Sequence, residues 1–207
     1  MATPQINIIN NTVDNDALNL AIYQKYDSLN SGMEGVEERS VIAWKVIKIV
    51  DINTSHSFTI STEMHVTVED ENGNVSDPQA TEGGVKWNAV SVSAGTMLVN
   101  DIASGSNASE IQIYNGLDEG AINASIYKDN KLLATQMNIA PQQSTAFAFE
   151  PTIWVGVVPQ AVEGEIIDPL VLSTITTEIS LLGITNANLI LTGGSGNPYL
   201  FSLVPLT

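Results

Sequence analysis

The residues best suited to bind a metal ion lie in "VEDENGNVSD", residues 68–77, which is rich in oxygen donors. Asp70, Asn72 and Asp77 offer the carboxylate and amide oxygens that calcium prefers. The spacing differs from that of an EF-hand loop, which has a central glycine and ends on glutamate. The Asn-Gly pair at 72–73 instead favours the tip of a β-hairpin. We therefore expect an exposed hairpin here, with calcium binding by Asp70, Asn72 and Asp77 as the alternative.

A second group of carboxylates flanks a tryptophan in "EPTIWVGVVPQAVEGEIID", residues 150–168. A glycosidase needs two carboxyl groups on either side of the scissile bond, and the acids at 163–168 could face Glu150 in that way. Carboxylates so close in sequence are typical of a polar turn, and aromatic residues make up only 6% of the chain. We predict a buried strand around Trp154 followed by a solvated turn.

Other catalytic chemistry has few residues to use. The chain has no cysteine and two histidines, His56 and His65. Their odd separation would place them on opposite faces of a regular strand, which is unsuited to one shared metal ion. The glycine-rich "LTGGSGNPY", residues 191–199, lacks the lysine of a phosphate-binding loop and is predicted to connect two strands. We therefore expect a protein that is not an enzyme and needs no cofactor.

Composition limits the partners. The 207 residues include 7 basic and 23 acidic ones, which gives a formal charge of −16. This charge repels phosphate backbones and anionic lipid headgroups, so we do not expect a nucleic-acid partner. No apolar run reaches the roughly 18 residues of a spanning helix. The N-terminus lacks a basic segment followed by an apolar run, so no ordinary secretory signal is expected, and the compartment is left open.

Alternation of apolar and polar residues predicts strands with one buried face. It is clearest in residues 6–10, 56–70, 110–115 and 144–150. Asp129-Asn130 is predicted to close a second hairpin. Helical periodicity is weak, and residues 168–174 are the best helix candidate apart from residues 14–20, which are better explained as a turn entering a strand. We predict an all-β fold, a two-sheet antiparallel β-sandwich of jelly-roll type, forming one domain over residues 1–207.

The two halves of the chain resemble each other in order. The matches join 6–10 to 111–115 at an offset of 105, 18–25 to 122–129 at an offset of 104, and 41–47 to 151–158. Such order predicts a duplicated β unit with halves of about 1–105 and 106–207. It also equates Trp44 with Trp154, whereas Trp87 has no counterpart in the pattern.

The same segments carry a resemblance to a known family. The chain resembles the RhiA-type rhizosphere-expressed proteins and their bacterial and fungal relatives in "INNTVDNDALNLAIYQK", "SVIAWKVI", "GAINASIYKDNKLLATQMNIAP", "FEPTIWVGVVPQAVEGEIID" and "TTEISLLG". It departs from them in residues 56–70, which lack an aromatic-rich stretch. The resemblance implies a β fold with no assigned reaction, and no catalytic residue carries over.

Two functions fit these features. The first is a structural or interaction protein that self-associates into homo-oligomers through strand edges and apolar termini. Leu200 and Phe201, in the apolar final segment, are the residues predicted to carry this association. The alternative is a lectin-like, carbohydrate-binding module, secreted or surface-associated, in which Trp87 and Tyr114 contact the sugar.

Overall fold

The structure is a computed structural model that describes residues 3–14, 17–27, 41–49, 51–93, 95–101, 107–168 and 176–206. Every regular element in these ranges is a β-strand, so the predicted all-β class is confirmed. The strands are β1 (Gln5–Asn10), β2 (Leu18–Tyr23), β3 (Tyr26–Asp27), β4 (Lys45–Ile49), β5 (Ser55–Thr59), β6 (Met64–Glu69), β7 (Gln79–Thr81), β8 (Lys86–Val92), β9 (Gly95–Asn100), β10 (Glu110–Asn115), β11 (Ile122–Lys128), β12 (Lys131–Ile139), β13 (Ser144–Phe149), β14 (Thr152–Val157), β15 (Thr176–Ser180), β16 (Asn186–Gly194) and β17 (Asn197–Pro205).

These strands form four sheets rather than the two that were predicted. Sheet 1 has the order β17-β16-β1-β5, and sheet 2 has the order β15-β14-β2-β4. Sheet 3 has the order β3-β13-β10-β8-β9, and sheet 4 has the order β12-β11-β6-β7. The prediction of purely antiparallel sheets is also wrong, because β1 runs parallel to β16 and β10 runs parallel to β8.

The chain divides into two compact units, whereas the sequence predicted one domain. Unit 1 comprises Met1–Lys25, Val41–Thr62 and Pro151–Thr207, and contains sheets 1 and 2. Unit 2 comprises Tyr26–Ser40 and Glu63–Glu150, and contains sheets 3 and 4. Each unit has its own apolar core. Fully buried side chains in these cores include Ile8, Leu20 and Leu189 in unit 1, and Val66, Ile113 and Phe147 in unit 2.

The two units repeat the same strand arrangement. In sheet 1, β1 lies between parallel β16 and antiparallel β5; in sheet 3, β10 lies between parallel β8 and antiparallel β13. In sheet 2, β2 lies between β14 and β4; in sheet 4, β11 lies between β6 and β12. The counterparts are therefore β1 and β10, β2 and β11, β4 and β12, β5 and β13, β14 and β6, β15 and β7, β16 and β8, and β17 and β9.

Strand register supports this correspondence residue by residue. Ile6 lies opposite Phe58, and its counterpart Ile111 lies opposite Phe147. Ile8 lies beside Leu189 in the parallel ladder of sheet 1. Its counterpart in sheet 3, Ile113, lies beside Trp87. The residues matched at an offset of 105 thus pair with residues on corresponding strands, although those partners are separated by other offsets.

The predicted equivalence of Trp44 and Trp154 is wrong. Trp154 lies in β14 opposite Tyr23, and the residue opposite the matching Tyr127 is His65 in β6. Trp44 precedes β4, the counterpart of β12, and is fully buried. The short match between 41–47 and 151–158 therefore joins segments with different places in the fold.

Each half of the chain contains eight strands that have a counterpart in the other half. Each unit combines the first four of these strands from one half with the last four from the other half. Unit 1 contains β1, β2, β4 and β5 from the first half and β14 to β17 from the second. Unit 2 contains β6 to β9 from the first half and β10 to β13 from the second, together with the short β3. The strand arrangement is thus that of two repeats, each completed by the C-terminal strands of the other.

Turn residues explain several chain reversals. Asp129 and Asn130 close the hairpin between β11 and β12 with φ of 53° and 60°, as a type I′ turn requires. The glycine-rich residues 191–199 span the hairpin between β16 and β17, as predicted. Strand β2 begins at Leu18, which agrees with a turn entering a strand. Of the predicted helix at 168–174, all but Asp168 lies outside the described residues.

Candidate functional site

Two sheets end on long edge strands that carry no charge. Sheet 1 ends on β17 and sheet 3 ends on β9. No Asp, Glu, Lys or Arg occurs in residues 186–207 or in residues 87–100. An edge strand presents backbone N–H and C=O groups that can pair with another strand, and charged side chains are a common means of preventing this. Both edges lack that protection.

The remaining edge strands differ from these two. Strands β3 and β7 have only two and three residues. Strands β4, β12 and β15 contain lysine or glutamate, and β5 reads Ser-His-Ser-Phe-Thr. Short length and polar or charged side chains both oppose pairing between sheet edges. The uncharged apolar edges are therefore confined to β17 and β9 among the described strands.

Strand β17 alternates clearly between its two faces. Leu200 is 62% exposed, and Val204 on the same face is also exposed. Phe201 points to the opposite face, where it is buried opposite Leu191 of β16. The structure therefore separates the two residues predicted to carry self-association: Leu200 is available at the surface, whereas Phe201 belongs to the core.

Strand β9 repeats this pattern in unit 2. Met97 is 45% exposed and Leu98 is buried, which matches Leu200 and Phe201 in the corresponding strand. Sequence reasoning missed Met97. The absence of charge over residues 87–100 is the signal that could have drawn attention to this edge.

Two prolines limit the part of β17 that can pair. Pro198 and Pro205 lie near its two ends, and a proline has no N–H to donate to a ladder. The segment between them, Tyr199–Val204, keeps its amide groups. A partner strand is therefore expected to pair with these central residues, which include Leu200.

Asp14 holds the hairpin that presents β17. Its Oδ1 accepts hydrogen bonds from the Ser195 backbone N–H at 2.7 Å and hydroxyl at 2.9 Å, and its Oδ2 accepts one from the Tyr199 hydroxyl at 2.6 Å. These bonds, that from Tyr199 first, hold the pKa of Asp14 below its usual value. Gly194, with φ of 91°, lets the carboxylate approach, because a Cβ there would lie 2.0 Å from Oδ2. Sequence reasoning missed this role of Asp14.

An open acidic cleft lies in unit 2. It has a volume of about 360 Å³ and is lined by residues of three segments: Asp70, Glu71, Asn72 and Asn74; Ser91, Val92, Gly95 and Thr96; and residues 117–120. These segments contribute the carboxylates Asp70, Glu71, Asp118 and Glu119 and no basic side chain. These carboxylates would repel an anionic ligand.

Asp70 organises its own hairpin. Its carboxylate accepts hydrogen bonds from the Asn72 backbone N–H, from the backbone and side chain of Asn74, and from the Thr96 hydroxyl, over 2.9–3.4 Å. These bonds, led by the Asn74 side chain, lower its pKa. The predicted exposed hairpin is present, and Gly73 at its tip has φ of 79°.

The cleft contains two of the three predicted calcium ligands. Asp70 and Asn72 both line the cleft, but Asp77 is not among its lining residues. Within the described ranges, no group of three or more His, Cys, Asp or Glu side chains is arranged to hold a metal ion. The bonds of Asp70 to its own loop account for its position without calcium.

The two residues predicted to contact sugar do not form one site. Trp87 is only 6% exposed, and its indole N–H donates to the Thr81 hydroxyl at 3.0 Å, so the predicted ligand residue is a core residue. Tyr114 is half-buried, and its hydroxyl donates to the Gln142 side chain. The Lys86 ammonium lies 5.6 Å from the centre of the Tyr114 ring. No open aromatic platform results from these two side chains.

Residues 150–168 contain the predicted buried strand and solvated turn. Trp154 in β14 is half-buried and stacks on Tyr23 with ring centres 6.1 Å apart. The Lys25 ammonium lies 4.8 Å from the Trp154 ring centre. In the exposed turn that follows, Glu163 accepts a hydrogen bond from the Val46 backbone N–H at 3.2 Å. These contacts pack Trp154 against its neighbours and attach the turn to β4.

Comparison with known proteins gives no match to a protein family, a curated protein or a solved structure. The resemblance to RhiA-type proteins therefore stays a prediction. Across the described ranges, no helix is long and apolar enough to cross a membrane.

Proposed function

We propose that this protein is a non-enzymatic structural protein that self-associates into homo-oligomers through the edge strand β17. The observation that carries the proposal is an edge strand of nine residues without charge, on which Leu200 is 62% exposed. Main-chain hydrogen bonds would supply the pairing, and alternate side chains would supply its specificity. The corresponding edge β9, with exposed Met97, offers a second surface of the same kind.

Each unit is proposed to be a two-sheet sandwich, which is the finer form of its all-β architecture. Both sheets of unit 1 have one face of fully buried apolar residues, such as Ile8 in sheet 1 and Val155 in sheet 2. Such faces are typical of sheets packed against each other. A sandwich leaves the outermost strands of each sheet at the surface, where β17 would meet a second copy.

A matched pair of substitutions tests the proposed contact. Leu200→Lys places a charge on the outer face of β17 without changing the core. Leu182→Lys is the control, because Leu182 is 78% exposed but lies in a turn. Loss of one buried leucine contact corresponds to about 1.5–3 kcal/mol, so roughly tenfold or greater weakening of self-association is expected for Leu200→Lys.

The measurement is light scattering across a concentration series, with negative-stain imaging of the same samples. The proposal predicts that particle size grows with concentration for the unmodified protein and for Leu182→Lys, but far less for Leu200→Lys. A particle of monomer size at every concentration would contradict self-association. If particle size grew equally for both variants, the contact between molecules would not involve Leu200.

A further inference from the structure

The C-terminal segment, residues 151–207, joins the rest of the protein through a single chain connection at Glu150–Pro151. It nevertheless supplies half of unit 1: β16 pairs with β1 in parallel and β14 pairs with β2. Further bonds attach it to the N-terminal part of the unit, including Gln24 to the Thr152 carbonyl at 3.1 Å and Tyr199 to Asp14. The segment is thus held by an extensive noncovalent interface and by one covalent link.

We propose that residues 151–207 of one copy complete the unit formed by residues 1–25 and 41–62 of a second copy. The partner is thus another molecule of this chain, and the contact is the interface already present within unit 1. This inference rests on the proposed self-association but assigns it a contact different from the β17 edge.

The same kind of exchange is already present between the two halves of one chain. Its two halves have the same strand arrangement, and each is completed by the C-terminal strands of the other. Exchange between molecules would repeat this relationship with no new interface. Domain swapping is a low-cost route to oligomers for this reason, since the exchanged element makes the same contacts in either chain.

The entropy lost on closing the chain influences whether residues 151–207 pair within their own molecule or with a second molecule. The ladder between β1 and β16 joins residues that are 181 positions apart, such as Asn7 and Asn188. Contacts of such large sequence separation close slowly, because loop entropy is lost before the contacts form. A segment that closes late remains available to a neighbouring molecule, and more so as the concentration approaches the effective concentration of the tethered segment.

The donor and acceptor surfaces are different, so the exchange is a head-to-tail contact. Such a contact forms open chains when the rotation does not close, and rings when it does. Edge pairing through β17 could then join these products laterally. The two contacts are separable by experiment, because only the exchange places Asn7 and Asn188 of different molecules in one ladder.

Asn7 and Asn188 provide the probe. They lie opposite each other in the parallel ladder, with a side-chain hydrogen bond of 3.2 Å between Nδ2 of Asn7 and Oδ1 of Asn188. The chain has no cysteine, so two single variants, Asn7→Cys and Asn188→Cys, each carry one thiol. A disulfide between positions 7 and 188 in a mixture of these variants can form only between molecules.

The two variants are unfolded in denaturant, mixed, refolded at low and high concentration, and oxidised. Peptide mass spectrometry then identifies the disulfide in each size fraction, with each variant refolded alone as the control. The expected result is a disulfide between positions 7 and 188 in the oligomer fraction, more abundant at high concentration. It should persist when both variants also carry Leu200→Lys.

Three results would overturn the exchange. Oligomers without this disulfide would leave edge pairing as the mode of self-association. A disulfide that disappears with Leu200→Lys would make the contact dependent on the β17 edge. Absence of oligomers at both concentrations would overturn the proposed function together with the exchange. The double variant Asn7→Cys/Asn188→Cys, which should form the same disulfide within one chain, verifies that the pair can be oxidised.

Discussion

Asn10 and Asn115 occupy equivalent positions at the ends of β1 and β10, 105 residues apart. Both are buried, and each Oδ1 accepts a hydrogen bond from the backbone N–H two residues later at 3.1 Å. Each backbone carbonyl accepts a bond from a residue with positive φ, Asn53 at 57° and Gln142 at 64°. An irregular backbone feature repeated in this detail is strong support for a duplicated unit, because apolar alternation alone would not require it.

Replacing Asn115 by alanine is expected to destabilise the protein by about 1–3 kcal/mol. The buried side chain donates to the Gly120 and Ile139 carbonyls at 3.0 and 2.9 Å and accepts from the Leu117 backbone N–H, so its loss removes three hydrogen bonds. The free energy of unfolding from urea denaturation measures the effect. Asn72→Ala, at an exposed position, is the control and should change stability far less. Equal stability of both variants would show that the buried amide is dispensable.

The strand exchange predicts that the two halves stay together after the chain is cut. A protease site inserted between Asp101 and Asn107 separates the halves covalently, but each unit still contains strands from both. Size-exclusion chromatography of the cut protein should show both fragments in one peak under native conditions, and two fragments only in denaturant. Elution of two separate folded fragments without denaturant would contradict the exchanged topology.

The sequence predicted local features well. Alternation predicted the strands at residues 110–115 and 144–150, and Asp129-Asn130 marked a hairpin that the structure contains. The matches at offsets of 104 and 105 also join true counterparts. These features depend on residues close in sequence, whose side-chain periodicity and turn chemistry are readable without knowing the fold.

The errors concern contacts between distant strands. Trp87 was expected at a binding site because the sequence match showed no equivalent residue in the second half. In the structure, Leu189 holds the equivalent place beside Ile8 that Trp87 holds beside Ile113, and the two residues are alike only in being buried. Leu189 lies on an exchanged strand, at an offset of 102 rather than 105. Pairing across some 100 residues depends on tertiary packing that local patterns do not encode. The division into Leu200 outside and Phe201 inside likewise required the register with β16.

Lys128 is expected to make stability depend on pH in the alkaline range. It is 8% exposed in β11, and burial lowers its pKa from 10.5 to about 8. Between these values the unfolded chain binds more protons than the folded protein, so stability should rise with pH from about 8 to 10.5. The full effect is at most about 3 kcal/mol.

Replacement of Lys128 by methionine tests the predicted direction of this pH dependence. The variant should lose the rise between pH 8 and 10.5 and should be more stable than the unmodified protein at pH 7, because no buried ammonium remains. Urea denaturation at several pH values measures both effects. Lys131→Met, a change at a half-buried position across the same hairpin, controls for the loss of one positive charge. The same pH slope in Lys128→Met as in the unmodified protein would assign the dependence to another group.

Self-association is expected to strengthen with salt. Each molecule carries a formal charge of −16, so copies repel one another, whereas the proposed β17 edge contributes no charge to the contact. Salt screens this repulsion, with a Debye length of about 10 Å at 0.1 M and about 3 Å at 1 M. Light scattering at fixed protein concentration should therefore show larger particles at 1 M than at 0.1 M sodium chloride. Dissociation on adding salt would instead indicate an interface held by ion pairs, which an uncharged edge strand cannot supply.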